Sequence, residues 1–331
     1  MIRTEVLATG FHVPDRVITN HQLADWMETS DEWIRQRSGI VERRWVEGGQ
    51  GPADLASVAA QAALERAGFV PGDLDCIVFA TLSPDHFFPG SGVFLQRKLG
   101  IAGIPCLDVR NQCSGFLYGL SVADAWIRTG AYRTVLLVGA EVHSTGMERS
   151  DEGRDTAVLF GDGAGAIVLG PTEEEGRGVL SVHLHADGRH AEKLWMEYPA
   201  CAYERWLTVE DMQEGRVIPR MEGREVFKHA VVRMPQAVRE ALEANGLALE
   251  DIDILIPHQA NLRITQAVQK SLGLPDEKVV SNIERYGNTT AASIPIALHE
   301  AVESGRIERG DLVCLTAFGS GFTWASALIR W

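Results

Sequence analysis

The stretch ERAGFVPGDLDCIVFA, residues 65–80, passes from a helical pattern through a glycine and two aspartates into an apolar run. The stretch EANGLALEDIDILIP, residues 243–257, repeats the same order. Each predicts a helix that ends at glycine, a short turn and a buried strand. Because this order is common in α/β proteins of every kind, the two stretches favour a duplicated architecture without proving one.

Other short apolar runs, which predict buried strands, alternate with amphipathic patterns, which predict helices. The predicted strands are 76–81, 135–139, 164–169, 252–256 and 312–317, and the predicted helices are 55–68, 115–130, 226–246 and 262–273. This alternation predicts an α/β protein with parallel sheets covered by helices. The pattern is weakest from Pro171 to Gly178, so we expect an N-terminal half of residues 1–172 and a C-terminal half of residues 173–331.

Composition limits the classes of function. The chain has 331 residues, of which 45% are hydrophobic and 23% charged, as in ordinary globular proteins. Its formal charge of −14 argues against general nucleic-acid binding, which needs a basic face. The five cysteines are scattered, and the first residues resemble neither a signal peptide nor a membrane span. We therefore expect a cytoplasmic protein that binds neither nucleic acid nor membrane.

Cys113 is a candidate nucleophile. It follows the apolar run Ile104–Val109 and precedes the amphipathic pattern Phe116–Ile127. A cysteine at the start of a helix lies at the positive end of the helix dipole, which lowers the thiol pKa and favours the thiolate. Ser114 and Gly115 leave room for a substrate. A buried structural cysteine is the commoner interpretation of a lone cysteine in an α/β protein.

Three segments of the second half offer hydrogen-bonding groups. His258 directly follows the apolar run 252–257, at a strand end where α/β sheets place ligands. Asn288 lies in YGNTTAAS, residues 286–293, where a turn or capping role is equally typical. The turn AFGSGFTW, residues 317–324, can bring backbone N–H groups close to a ligand oxygen. Together with Cys113 these segments supply a nucleophile, two donors and an oxyanion site.

Four motifs together resemble the 3-oxoacyl-[acyl-carrier-protein] synthase III family of the thiolase superfamily, which starts bacterial fatty-acid synthesis. They are DVRNQCSGF at 108–116, HQANLRI at 258–264, GNTTAAS at 287–293 and FGSGFTW at 318–324, and the likeness extends to TSDEWI at 29–34 and LFGDGAGA at 159–166. The resemblance implies a thiolase fold of two similar halves, each with a mixed five-stranded sheet between helices, in αβαβα layers. It also implies a homodimer and a catalytic triad of Cys113, His258 and Asn288.

The resemblance implies a decarboxylative condensation that needs neither metal nor redox cofactor. Cys113 takes the acyl group of a short acyl-CoA, malonyl-acyl carrier protein then loses carbon dioxide, and the enolate attacks the acyl-cysteine to give 3-oxoacyl-acyl carrier protein. His258, which must be neutral, and Asn288 donate hydrogen bonds that stabilise the enolate. The backbone N–H groups of Cys113 and Ser320 form the oxyanion site, beside the apolar ring of Phe318.

The resemblance also assigns residues to three binding surfaces. The CoA contacts are Trp33, Arg37, Arg154 and Asn261, the acyl-pocket residue is Phe88, and the docking residues for acyl carrier protein are Lys228, Arg263 and Lys270, joined by Arg224. Arg154 lies two residues after the aligned position, which Glu152 occupies. The ring of Phe88 predicts acetyl or another short primer. An acidic carrier protein needs a local basic face here, although exposed basic side chains are also common on helices.

Other functions were weighed against this one. An enzyme of the same fold that passes the acyl group to another acceptor in specialised metabolism stays open, because Asn111, Gln112 and Phe87 depart from the family pattern. A non-catalytic partner subunit should lack the triad. The segment HLHADGRH, residues 183–190, resembles a zinc motif, but its third histidine comes too late, so we predict no metal. The glycines of residues 161–165 precede a predicted strand, which excludes a dinucleotide loop.

Overall fold

A computed structural model describes residues 2–331. The strands are β1 (Arg3–His12), β2 (Val17–Thr19), β3 (Glu42–Arg44), β4 (Cys76–Ala80), β5 (Cys106–Val109), β6 (Val135–Glu141), β7 (Gly163–Thr172), β8 (Gly178–Ala186), β9 (Leu194–Trp195), β10 (Arg220–Met221), β11 (Ile254–Pro257), β12 (Leu312–Gly319) and β13 (Thr323–Arg330). The helices are α1 (Asn20–Ala24), α2 (Asp31–Ser38), α3 (Pro52–Ala67), α4 (Ser91–Lys98), α5 (Gly115–Thr129), α6 (Arg154–Ala157), α7 (Val209–Gln213), α8 (Gly223–Ala244), α9 (Leu262–Leu272), α10 (Ile283–Tyr286) and α11 (Ser293–Glu303).

Two mixed sheets with the same pairing pattern form the centre of the protein. Within residues 2–331 the first sheet has five strands in the order β1-β7-β6-β4-β5, and the second has four in the order β8-β13-β12-β11. In each sheet the first three strands pair antiparallel and the following pair is parallel. The repeated pattern agrees with the duplicated architecture that the two opening stretches favour.

The expectation of five strands in the second sheet is wrong. At the place that β5 holds in the first sheet, the second has a single parallel bridge between Leu255 and Val279. The N–H of Val280 donates to the Leu255 carbonyl at 2.9 Å. Residues 279–282 connect a 3₁₀ turn that ends at Lys278 to α10, which begins at Ile283, and the bridge at Val279 is the pairing that forms there.

Helices cover both faces of each sheet and lie between the sheets. Phe116 and Leu120 of α5 and Ile294 and Leu298 of α11 are buried in one apolar cluster with residues of both sheets. Helices α3 and α4 cover the outer face of the first sheet, and α8 and α9 cover that of the second. These layers are the αβαβα arrangement of the thiolase fold, which the sequence predicted.

The helix α5 shows how local sequence signals fix the bounds and the buried face of an element. Its apolar residues at 116, 120, 123 and 127 fall on one face, which is buried, and Gly130 ends the helix in the left-handed conformation with φ of 74°. The N-terminus of α5 is thereby held at the end of β5. Among the described residues, no helix has the length and hydropathy needed to cross a bilayer.

The segment between Asp187 and Glu222 forms a cap beside the second sheet. Its ends are joined by the pairing of β9 with β10. Arg216 organises its interior, since it donates to Glu197 and to Asp211 and lies over the Tyr198 ring at 4.4 Å. The cap is therefore an ordered element of the second half.

Candidate active site

A cavity of about 650 Å³ lies where the two halves meet. The first half contributes Cys113 to its wall, and the second contributes His258, Asn288, Phe318 and Gly319. Three polar groups from distant parts of the chain therefore share one cavity. Cys113 is 7% exposed, His258 2% and Asn288 6%, so all three are removed from bulk water.

Cys113 lies in a tight 3₁₀ turn, Gln112–Ser114, that leads directly into α5. The preceding Gln112 has a φ of +43°, a left-handed conformation that is rare outside glycine. Burial, together with the nearby carboxyl of Glu141, raises the pKa of Cys113 to about 12. The expectation of a lowered pKa is therefore wrong, because the loss of solvation outweighs the effect of the helix N-terminus.

His258 presents one ring nitrogen for a ligand. Its Nδ1 lies 2.6 Å from Ser293 Oγ, whereas its Nε2 is buried and has no hydrogen-bond partner within residues 2–331. Ser293 Oγ also accepts the N–H of Gln259 at 3.4 Å, which leaves the serine proton for Nδ1. We infer that the imidazole proton is on Nε2. Burial lowers the pKa of His258 to about 3, so the ring is neutral at neutral pH.

Asn288 is held by backbone hydrogen bonds on both sides. Its N–H donates to the Leu159 carbonyl at 2.8 Å, and its carbonyl accepts the N–H of Gly161 at 3.1 Å. Its side-chain Oδ1 accepts the N–H of Thr290 at 2.9 Å. Because the oxygen is engaged, the NH₂ group is the end of the amide that is available to a ligand.

The glycine-rich turn after β12 lies against the nucleophile. A Cβ added to Gly319 would be 2.7 Å from Cys113 Cβ and 3.1 Å from the Cys113 nitrogen, so no side chain fits there. The hydroxyl of Ser320 donates to the carbonyl of Leu194 and ties the turn to β9 of the cap. Leu194 itself lines the cavity. The turn is therefore fixed both to Cys113 and to the cap.

The residues assigned to CoA lie together at the cavity mouth. The guanidinium of Arg37 lies over the Trp33 ring at 4.6 Å, and that of Arg154 lies over the same ring at 5.4 Å. Asn261 caps α9 and donates to the Arg37 carbonyl at 2.9 Å. Trp33, Arg37 and Asn261 line the cavity. Arg154 thus lies beside Trp33 despite its offset from the aligned position.

The remaining assigned residues lie on the outer surface. Phe88 is 80% exposed and lies outside the cavity wall. Arg263 and Arg224 line the mouth, and Arg263 lies 5.8 Å from the Phe227 ring. Lys228 is exposed on α8, about one helical turn after Arg224. Lys270 is exposed on α9, about two turns after Arg263.

The histidines of the zinc-like segment have another role. His183 and His185 lie on one face of β8, as their alternation predicts, and both contact Glu240 of α8, at 3.3 and 2.7 Å. Within residues 2–331, no group of three or more metal-ligating side chains is placed to hold a metal ion. The two imidazoles are accounted for by the contact with this helix.

Sequence reasoning missed the residues that contact His258 and Asn288 or the loop that carries Asn288. Ser293 and Thr290 fall inside a recognised motif, but their contacts with His258 and Asn288 had no separate signal. No sequence pattern indicated a role for His143 or Glu141. Glu141 is buried and accepts the Ala291 N–H at 3.3 Å, which fastens the loop that carries Asn288 to the end of β6.

A thiolase fold whose central cavity holds a cysteine, a histidine and an asparagine defines the class of thiolase-fold condensing enzymes. Two family models match the chain: 3-oxoacyl-[acyl-carrier-protein (ACP)] synthase III over residues 107–188, and the C-terminal region of the same family over residues 242–331. The chain belongs to the beta-ketoacyl-[acyl-carrier-protein] synthase III family and is an acyltransferase of fatty-acid biosynthesis.

Individual relatives match over the full length. The beta-ketoacyl-[acyl-carrier-protein] synthase III of Rhodospirillum centenum is 47% identical over 100% of this chain and 99% of that protein. The protein of the same name from Alkalilimnicola ehrlichii is 48% identical over all of both chains. The crystal structure of 3-oxoacyl-[acyl-carrier-protein] synthase III from Aquifex aeolicus matches with a TM-score of 0.90 and 42% identity, over 99% of this chain and 100% of that one. The family and the fold predicted from sequence are confirmed.

Proposed function

We propose that the enzyme condenses a short acyl-CoA primer with malonyl-acyl carrier protein, releasing carbon dioxide and giving 3-oxoacyl-acyl carrier protein. The observation that carries the proposal is the convergence of Cys113 with a free Nε2 of His258 and a free amide of Asn288 in one buried cavity. A nucleophile beside two neutral donors suits a reaction in which negative charge develops on a thioester oxygen.

In the first half-reaction the Cys113 sulfur attacks the thioester carbonyl of acyl-CoA. An S–C bond forms, the carbonyl becomes an oxyanion, and the bond to the CoA sulfur then breaks, with the thiol proton leaving on CoA. The backbone N–H groups of Cys113 and Ser320 hold the oxyanion. The close approach of Gly319 to the Cys113 backbone supports this site, because it brings the two segments within van der Waals contact.

In the second half-reaction the malonyl thioester loses carbon dioxide. The C–C bond to the carboxylate breaks, and its electron pair passes into an enolate whose oxygen accepts hydrogen bonds from His258 Nε2 and the Asn288 amide. The enolate carbon attacks the acyl-cysteine, a C–C bond forms, and the Cys113 sulfur leaves as a thiolate, which takes a proton from solvent to restore the thiol. Phe318, an apolar neighbour in the cavity wall, disfavours the malonyl carboxylate before it leaves.

The cavity mouth binds the two thioester carriers. Trp33 and the guanidinium groups of Arg37 and Arg154 form a cluster of planar groups on which the adenine of CoA can stack, and Asn261 contacts the pantetheine. The exposed cations around the same mouth form a local basic face for the acidic carrier protein on a chain whose net charge is −14: Arg224, Lys228, Arg263 and Lys270.

The enzyme works as a homodimer joined through the edge of the first sheet. Strand β5 is an edge strand, and its residues are only half-buried. The loop that carries Phe88 is fixed beside it, since the N–H of Gly92 donates to Asp108 of β5 at 2.9 Å. An 80% exposed phenylalanine next to an open edge suits a partner surface. There Phe88 limits the acyl pocket of the partner to short primers.

Three further sequence predictions stand as part of this proposal. Residues 1–172 and 173–331 are the two halves of the fold, which accords with the strands of the first sheet lying within 3–172 and those of the second within 178–330. The reaction uses no cofactor besides its CoA and carrier-protein thioesters. The enzyme works in the cytoplasm.

The proposal is tested by incubating the protein with acetyl-CoA and malonyl-acyl carrier protein and measuring product mass and carbon dioxide together. We expect 3-oxobutanoyl-acyl carrier protein and one carbon dioxide per product, and neither with Cys113→Ala. Acylation of Cys113 without carbon dioxide release would instead favour transfer to another acceptor. The full-length relatives at 47–48% identity do not favour that alternative.

A further inference from the structure

Thr290 adopts a backbone conformation that a β-branched residue rarely takes. Its φ is +47°, in the left-handed region, and its side chain is fully buried. Such a conformation is unfavourable and persists only where surrounding contacts hold it. In this conformation the Thr290 N–H lies 2.9 Å from Asn288 Oδ1. The backbone of Thr290 therefore determines which end of the Asn288 amide faces the cavity.

His143 contacts Thr290 and is not among the residues that line the cavity. Its Nε2 lies 2.9 Å from Thr290 Oγ1, the one hydrogen bond of that hydroxyl within residues 2–331. The ring packs on Phe160, with centroids 4.8 Å apart, and the His143 N–H donates to Asp162 at 2.7 Å. Burial lowers the pKa of His143 to about 4, so the ring stays neutral at neutral pH.

We propose that His143 is a positioning residue for decarboxylation, which acts through Thr290 to fix the direction of the Asn288 amide. The inference rests on the proposed function, in which Asn288 stabilises the enolate. His143 lies outside the cavity wall, whereas Phe160 and Asn288 form part of it. Without the His143 contact, Thr290 is free to leave its left-handed conformation, and the amide loses its fixed direction. Acyl transfer to Cys113 does not use that amide.

A second histidine–threonine pair in the same chain provides a matched control. His299 Nδ1 lies 2.8 Å from Thr9 Oγ1, and the His299 ring packs on Phe11 with centroids 5.0 Å apart. This pair joins α11 to β1, and its residues lie outside the cavity wall. His299→Leu therefore removes a similar contact, including its share of stability, without touching Asn288.

The test measures the two half-reactions separately in His143→Leu, Thr290→Val and His299→Leu. Acyl transfer is followed as the mass added to Cys113 by acetyl-CoA, and decarboxylation as carbon dioxide released when the acylated enzyme meets malonyl-acyl carrier protein. We expect His143→Leu and Thr290→Val each to slow carbon dioxide release by about tenfold to a hundredfold, as for a misdirected catalytic group, with acyl transfer unchanged. The double variant should be no slower than the slower single variant, because both act on one contact.

Two controls make the result specific. Thr290→Ser keeps the hydroxyl and should keep the wild-type rate, and His299→Leu should leave the ratio of the two half-reactions unchanged. Undiminished carbon dioxide release in Thr290→Val, or equal loss of both half-reactions in His143→Leu, would overturn the positioning role. Should His143→Leu fail to fold, the comparison of Thr290→Val with Thr290→Ser decides the matter.

Asn288→Ala separates this inference from the proposed function. If it loses decarboxylation while His143→Leu and Thr290→Val keep it, the proposed function stands and the role of His143 is wrong. If Asn288→Ala itself keeps decarboxylation, the role proposed for the asparagine fails.

Discussion

The two sheets share one pairing pattern but supply different chemistry to the cavity. The chain that leaves β5 of the first sheet reaches Cys113, whose sulfur can form a covalent bond. In the second sheet a single bridge at Val279 stands in place of β5, and the chain that leaves it reaches Asn288, which can only donate or accept hydrogen bonds. A duplicated scaffold thus carries a nucleophilic side chain in one half and hydrogen-bonding side chains in the other, and the proposed mechanism assigns acyl transfer to the first and enolate stabilisation to the second.

Burial affects the groups from the two halves in opposite directions but leaves both neutral. It raises the pKa of Cys113 to about 12 and lowers that of His258 to about 3. The centre therefore holds a neutral thiol and a neutral imidazole. Charge appears only as the reaction proceeds, when donors that are already in place can stabilise it without reorganising.

The largest expected effect comes from removing the donors of the second half. His258→Ala and Asn288→Ala should each slow decarboxylation by on the order of a hundredfold to a thousandfold, the usual cost of losing one preorganised donor. Acyl transfer from acetyl-CoA to Cys113 should persist in both. Separate measurement of carbon dioxide and acylated protein tests whether the two halves serve different half-reactions. Carbon dioxide release at the wild-type rate in both variants would contradict this assignment.

The next effect concerns the contact between the halves. Gly319→Ala places a Cβ 2.7 Å from Cys113 Cβ, so the nucleophile or the turn must shift, and acyl transfer should slow by at least about tenfold. Gly72→Ala is the matched control, because a Cβ there meets nothing within 4 Å. Stopped-flow acylation of the two variants compares them directly. Equal rates would mean that the turn does not support the nucleophile.

A smaller effect is expected at the mouth, which serves the first half-reaction. Arg37→Ala removes a guanidinium that lies over Trp33, and should raise the KM for acetyl-CoA by about threefold to tenfold with little change in kcat. Arg35 lies on the same helix but pairs with Asp31 at 2.7 Å, so Arg35→Ala should leave KM unchanged. Steady-state kinetics of the two variants would refute the assignment if their KM values moved together.

The last effect is a pH dependence of stability. The unfolded pKa of histidine is about 6.5, whereas burial holds that of His258 at about 3. Between these values the unfolded chain binds a proton that the native protein does not, so this histidine destabilises the native state progressively as the pH falls below about 6.5. The free energy of unfolding, measured with urea at about pH 7 and about pH 5, should fall more in the wild type than in His258→Asn. The difference should be at most about 1.4 kcal/mol per pH unit. A loss of the same size in both would contradict the buried neutral ring.

The local sequence was sufficient to make Cys113 and His258 candidates, because His258 directly follows an apolar run, Cys113 comes four residues after one, and strand ends collect functional groups. The predicted helix at 115–130 agrees with α5, Gly115–Thr129, since its apolar spacing and its terminal glycine act locally. Asn288 could be recognised as a site residue only through the family motif, because asparagine is common in turns of glycine-rich loops.

The other features of the fold and of the site depend on contacts between residues that are distant in the sequence. His143 and Thr290 are 147 residues apart, and no local pattern relates them. In the second sheet a single bridge at Val279 stands where a fifth strand was expected, although Val279 and Val280 are as apolar as a strand. The pKa of Cys113 depends on how completely the cavity excludes water, which its position at a helix start does not determine.

The most direct test is to locate the acyl group on the protein after incubation with acetyl-CoA, by peptide mass spectrometry before and after malonyl-acyl carrier protein is added. The account predicts one acetyl group, on the peptide that contains Cys113, which disappears as carbon dioxide and product form. An acetyl group on the exposed Cys201 instead, or one on Cys113 that malonyl-acyl carrier protein does not discharge, would contradict it.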